Sequence, residues 1–139
     1  MSKEVNLIPY LNFEGNCEDA LNSYAKILDG KVEIMQRYDN PAMQAPESYR
    51  SKVLHARFHF GNNEIYASDV FPGQNLGYGR AVAMSLSFSD LEQAKQVFRM
   101  LSEGGEINVP FEKQFWGDWH GNLVDRFGTY WMVNVELNL

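Results

Sequence analysis

The chain states nearly the same pattern twice, and a repeat of this kind decides the architecture before any single residue does. Leu11-x-Phe13 leads through Asn16 into a helical run carrying Glu18, Ala20, Tyr24, Ile27 and Gly30. Leu86-x-Phe88 leads through Asp90 into Glu92, Ala94, Phe98, Leu101 and Gly104. The offset is 75 residues at Leu11/Leu86 and 74 at Asn16/Asp90, a slip that a shorter turn before the second helix accommodates. Phe60-Gly61 and Phe127-Gly128 form a second echo, each leading into a hydrophobic strand. The repeat predicts two similar modules, about 1–72 and 80–139, sharing one core in a single domain spanning 1–139.

Local patterns fill in the modules. Val5 to Phe13 reads as a strand, with Pro9 marking an edge or a break. Asn16 is placed to cap a first helix whose apolar face is Ala20, Leu21, Tyr24, Ile27 and Leu28, ended by Asp29-Gly30. Lys31 to Tyr38 reads as a strand, and Asp39 to Ser51, with Pro41 and Pro46, as a mobile loop. Val53 to Phe60 and Glu64 to Val70 read as a hairpin around Gly61-Asn62-Asn63. Phe71 to Arg80, with Pro72, Gly73, Gly77 and Gly79, is the joint between modules. Ala81 to Phe88 is the next strand. Ser89-x-x-Glu92 reads as a capping box for a helix with Leu91, Ala94, Val97, Phe98 and Leu101 on its apolar face. Three strands follow: Ile107 to Phe115, a stretch around Asn122 to Arg126, and Tyr130 to Leu137. The order is βαβββ twice, an α+β class with too little helix for a doubly wound parallel sheet.

Composition removes several classes of function. The net charge of −6, with no basic stripe among the aromatics, argues against nucleic acid as a partner. No apolar run approaches the ~18 residues of a membrane span, and the first residues lack a signal peptide's apolar stretch. One cysteine makes no internal disulfide, so a cytoplasmic location is expected. Patterns for a P-loop, a dinucleotide fingerprint, a nucleophile elbow, HExxH and CxxC are absent.

The arrangement resembles the vicinal oxygen chelate superfamily of glyoxalase I, bleomycin- and fosfomycin-resistance proteins and extradiol dioxygenases, and within it the PhnB-like branch. The residues that carry the resemblance are Pro9-Tyr10-Leu11-x-Phe13-x-Gly15-Asn16 with Glu18 and Ala20, then His55-Ala56, Ser68-Asp69, Phe115-Trp116-Gly117, and Asp125-x-Phe127-Gly128-x-x-Trp131. It implies paired βαβββ modules whose sheets curl around a cup-shaped pocket, with cups completed in a homodimer. An aromatic fraction of 14% exceeds what two short helices hide, which also favours a partner surface. Glyoxalase-like members hold a metal in the cup. The pattern puts the corresponding positions here at Pro9, near Ala67 or Ser68, Met84 and Met132, none a His or Glu at the three firmer places. Divalent metals want oxygen or imidazole ligands. The inherited site is therefore expected to be lost and no cofactor is expected, while a divalent metal at a non-standard site stays open.

Each candidate ligand-binding residue has two readings. His55 and His59 share one face of a strand but stand about 13 Å apart along it. His55 either lines the cup or is a hydrogen-bonded structural histidine, and His59 is the weaker candidate. Ser68 and Asp69 are polar anchors for a bound molecule or turn residues accepting backbone N–H bonds. Phe115-Trp116-Gly117-Asp118-Trp119-His120-Gly121 walls a pocket, with Trp116 and His120 facing a ligand, or is a hairpin whose indoles cap the core. Arg80 binds an anion or is a solvated loop residue. Cys17, in the first turn of the first helix, has no local base to make it a nucleophile.

The leading expectation is a homodimer binding an unidentified small molecule in an aromatic cup. The rival is a lyase, isomerase or resistance transferase with a non-standard site, dependent on a metal or free of one; a protein-interaction role comes third. PhnB-like sequences also carry a ubiquinone-pathway methyltransferase label, yet no Gly-rich loop follows the first strand to hold a nucleotide-like methyl donor.

Overall fold

A computed structural model describes residues 4–136. The chain divides into two compact units between Leu76 and Gly77, inside the glycine-rich joint. The first contains β1 (Tyr10–Phe13), α1 (Cys17–Leu28), β2 (Lys31–Arg37), β3 (Val53–Phe60) and β4 (Asn63–Asp69); the second contains β5 (Met84–Phe88), α2 (Leu91–Ser102), β6 (Glu106–Lys113), β7 (Trp119–Val124) and β8 (Tyr130–Val135). The sheet orders are β1-β4-β3-β2 and β5-β8-β7-β6, so the repeat in sequence is a repeat in topology. In each sheet the first strand runs parallel to the last and the other neighbours are antiparallel.

In the first module α1 covers one sheet face. Ala20, Leu21 and Tyr24 are buried, and the Tyr24 ring lies 6.4 Å from Phe58 on β3. Ile27, expected in the core, is only half-buried, because it sits in the last turn before the chain leaves the helix. Asp29 takes the left-handed conformation that ends α1 (φ 53°), so the glycine beside it serves another need. A Cβ on Gly30 would stand 2.5 Å from Phe58 Cε1 and 2.6 Å from the His59 carbonyl oxygen, distances no side chain tolerates.

Two expectations at the helix starts are corrected. Asn16 makes no capping bond with its side chain; the Asp69 carboxylate, from the end of β4, accepts from Gly15 N and Cys17 N instead. At α2 the cap is Asp90, whose Oδ1 accepts from Glu92 N at 3.0 Å, not Ser89 one residue earlier. β1 is also shorter than expected: Pro9 has no N–H for the ladder, so its carbonyl accepts from Tyr66 N and regular pairing begins at Tyr10. β5 likewise starts at Met84 rather than Ala81, and β7 begins at Trp119, ahead of the stretch around Asn122. Leu137, the expected end of the last strand, lies outside the described residues.

The segment between β2 and β3, read as a mobile loop, is tied down. It forms two single 3₁₀ turns, Pro41–Met43 and Glu47–Tyr49. The Tyr49 hydroxyl donates to the Val70 carbonyl and, just before the segment, the Tyr38 hydroxyl donates to that of Asp69. Burial, with the Asp69 charge nearby, pushes the Tyr49 phenol up to about 12 and so keeps it a donor.

In the second module Ala94, Val97, Phe98 and Leu101 are all buried, as the helical spacing predicts. Trp131, Val133 and Val135 alternate with half-buried neighbours along β8, the period-two pattern of a strand with one covered face. β6 is an edge strand containing Pro110, and its pairing with β7 is irregular between Val109 and Glu112, where the proline cannot donate. A Cβ on Gly121 would fall 2.8 Å from the Phe98 ring, which places the odd-numbered positions of β7 under α2.

Candidate functional site

Alternation along β3 sorts its residues by face. Ala56 and Phe58 lie under α1, so His55, Arg57 and His59 share the opposite face. Register carries that face onto β4, where Arg57 pairs with Tyr66, and from Tyr66 and Ser68 onto β1, where their partners are Tyr10 and Asn12. The resulting cluster is aromatic and cationic. The Tyr10 hydroxyl meets His55 Nδ1 at 3.2 Å with the two rings stacked at 5.9 Å. Tyr66 stands edge-on to His55 at 5.1 Å, and the Arg57 guanidinium lies over the Tyr66 ring at 5.1 Å. Among the described residues, none is hydrogen-bonded to His55 Nε2. Arg57, which the sequence reading passed over, has no carboxylate within ion-pair distance among the described residues, and its buried Nε has no acceptor. The signal was available: His-x-Arg-x-His on a strand puts all three side chains on one face.

Ser68 and Asp69, adjacent in sequence, part company. Ser68 belongs to this face, with its hydroxyl 3.5 Å from Asn12 Oδ1. Asp69 points under the helix, is 1% exposed, and accepts from Gly15 N, Cys17 N and Val53 N, each at 2.9 Å. Its carboxylate is committed to the backbone. His59 lies 3.6 Å from Glu33 and 3.9 Å from Glu64, at the far end of the row from His55.

The corresponding face of the second module is polar and uncharged at its centre. Asn134 donates to Ser85 Oγ at 3.0 Å, which turns its Oδ1 toward His120 Nδ1 at 2.7 Å. His120 Nδ1 therefore donates, and Nε2 accepts from Asn122 Nδ2 at 3.1 Å. Both ring nitrogens of His120 are thus occupied, unlike those of His55. Trp116 is 52% exposed and packs edge-on against the exposed Phe115 at 4.9 Å, at the tip of the β6–β7 hairpin. Trp119 lies on the α2 side, tilted against Phe111 and beneath Lys95. Arg80 is exposed in the segment before β5.

None of the positions that the resemblance assigns to a metal, Pro9, Ala67 or Ser68, Met84 and Met132, carries an imidazole or a carboxylate. Met84, placed with Met132 by pattern, pairs with Trp131 on the covered face, whereas Ser85 is the residue that pairs with Met132; a one-residue difference in register flips the side chain. Ala67 is buried under α1 and the Pro9 carbonyl is bonded to Tyr66 N. Among the described residues no three His, Cys, Asp or Glu side chains converge as a metal would require. The donors present, a thioether and a hydroxyl, do not fit a hard divalent ion.

Cys17 is buried, and burial, followed by the charges of Asp69 and Glu18, pushes its thiol far above the ordinary range. Iodoacetamide at about pH 8.5, near a free thiol's pKa, should leave native Cys17 intact while alkylating the urea-unfolded chain. Rapid labelling of the native protein, read by mass spectrometry, would contradict this packing.

Comparison with known proteins places this geometry. Protein PA1353 of Pseudomonas aeruginosa is 34% identical, with 96% of this chain and 98% of that one aligned at a TM-score of 0.84. A PhnB protein from Bacillus cereus superposes with a TM-score of 0.83 at 24% identity, over 95% of this chain and all of that one. A glyoxylase/bleomycin resistance protein/dioxygenase domain from Frankia sp. EAN1pec shares the fold with a TM-score of 0.67 at 13% identity, over 96% and 93% of the two chains. The family profile described as 3-demethylubiquinone-9 3-methyltransferase matches residues 5–134. With that match over nearly its whole length, the chain belongs to that PhnB-like family, and its fold is the one found in the glyoxylase/bleomycin resistance protein/dioxygenase domain.

Proposed function

We propose that this protein is a homodimeric small-molecule-binding protein whose ligand rests on the first module's open sheet face, over Tyr10, His55 and Tyr66, with no divalent metal. The observation that carries the reading is the ring cluster around His55, whose Nε2 has no partner among the described residues. Small-molecule sites combine apolar and aromatic walls with a few placed polar groups. A partner copy is the reading that best accounts for Val82, Ile107, Val109 and Phe115 among the exposed apolar side chains.

The family's description names methyl transfer, and the geometry here supports it poorly. A nucleotide-like methyl donor needs free backbone donors after the first strand. In this chain the Asp69 carboxylate already fills Gly15 N and Cys17 N at that turn. S-adenosylmethionine is therefore not expected to raise the melting temperature.

A metabolite library read by thermal shift tests the proposal, since a ligand at a hundred times its Kd stabilises by about 2.7 kcal/mol. Hits should lose their effect in His55→Ala and Tyr66→Ala, keep it with EDTA present, and bind a species of twice the chain mass. Stabilisation by S-adenosylmethionine, or stoichiometric metal in the purified protein, would overturn it. The Tyr10–His55 pair favours a second reading, an enzyme in which the tyrosine orients His55 and Nε2 moves a proton. There His55→Gln would abolish turnover and leave binding of the same hit nearly intact.

A further inference from the structure

We infer that the molecule bound on this face carries an anionic oxygen group, a carboxylate or its like, and that Arg57 is the residue that selects it. The inference rests on the reading that the face of Tyr10, His55 and Tyr66 is the binding face, and it adds the charge of the ligand. A guanidinium on a half-buried sheet face ordinarily has a carboxylate partner. The residue placed to supply one is Glu33, directly across from Arg57 on β2. Its carboxylate lies 3.6 Å from His59 Nε2 instead, and Glu64, the next acid along the face, is 3.9 Å from the same nitrogen. Arg57 is left over the Tyr66 ring, its Nε buried without an acceptor among the described residues. Edge-on to Tyr66, His55 presents Nε2, and Tyr10 and Ser68 present only hydroxyls. The cluster of Tyr10, His55, Arg57 and Tyr66 therefore offers the Arg57 positive charge and three rings, with the neighbouring carboxylates of Glu33 and Glu64 turned toward His59, inside a chain whose net charge is −6. A planar or aromatic body would stack against the rings while its anionic group took the fork of Arg57.

Titration of the ¹⁵N-labelled full chain with 2-naphthoate and 2-naphthamide, matched in ring and size, tests this. The carboxylate should perturb amides around Tyr10, His55, Arg57 and Tyr66 and bind about tenfold to a hundredfold tighter than the amide, the range of a charge-assisted pair. Arg57→Gln should bring the two probes to equal affinity. Arg57→Lys, which keeps the charge and loses the fork, should retain part of the preference, and the wild-type comparison decides the matter even if a variant folds poorly. Equal affinity of both probes for the wild type, or an undiminished preference in Arg57→Gln, would overturn the anion inference while leaving this face as the binding face. Shifts confined to other parts of the chain, or none at about 10 mM, well above the Kd of a weak fragment, would overturn both.

Discussion

Asp69→Ala is expected to cost about 4 kcal/mol or more, a large share of the ~5–15 kcal/mol by which a domain is held folded. The residue is 1% exposed and its two oxygens tie together three places distant in sequence. Oδ1 takes Gly15 N and Cys17 N at the entry to α1, and Oδ2 takes Val53 N at the start of β3, all at 2.9 Å. Truncation leaves three backbone donors without that acceptor, each costing about 1–3 kcal/mol when buried. Asp69→Asn separates geometry from charge: its amide oxygen can still serve the helix entry, but the NH₂ confronts Val53 N, donor against donor. It should therefore lose roughly half as much as the alanine variant. Urea unfolding followed by circular dichroism gives both values, and an alanine variant within about 1 kcal/mol of the wild type would show that the carboxylate does not hold these segments together.

That arrangement explains what the sequence could and could not disclose. Both helices and their buried faces were legible because Ala20, Tyr24, Ala94, Val97, Phe98 and Leu101 recur at helical spacing, a local signal. The cap of α1 was not, because its acceptor arrives from residue 69 across the parallel pairing of β1 with β4. The same limit separates Ser68 from Asp69 and Met84 from Ser85, since a strand's period of two makes each assignment depend on a register that only tertiary pairing fixes. His120 looked available for chemistry in sequence because Asn122 and Asn134, which occupy its two nitrogens, are met across and along strands. Arg57 is the opposite case. His55-x-Arg57-x-His59 displayed its common face openly, and only the absence of a partner carboxylate needed the structure.

Asp125→Ala should be the second costly change, at about 3 kcal/mol, and for a related reason. Asp125 Oδ1 accepts from Phe127 N at 2.9 Å and Thr129 N at 3.0 Å, and Oδ2 accepts from Trp131 Nε1 at 2.8 Å. The first two bonds shape the turn between β7 and β8, where Gly128 at φ 95° adopts a conformation that side chains resist. The third anchors a tryptophan that is fully buried on the covered face of the sheet. Trp131→Phe removes that indole donor along with part of the packing, and should cost about 2 kcal/mol. If the indole bond accounts for much of both losses, the double variant will fall short of the sum by about 1–2 kcal/mol; additivity within about 0.5 kcal/mol would deny the coupling. The consequence reaches beyond stability. Asp125-x-Phe127-Gly128-x-x-Trp131 is one of the segments by which the chain resembles the vicinal oxygen chelate superfamily, and this geometry makes it a device for closing a hairpin. A ligand found for the Tyr10, His55 and Tyr66 face should bind the folded fraction of Asp125→Ala with unchanged affinity. A selective loss of affinity in a variant that is still folded would instead move the segment from architecture to recognition.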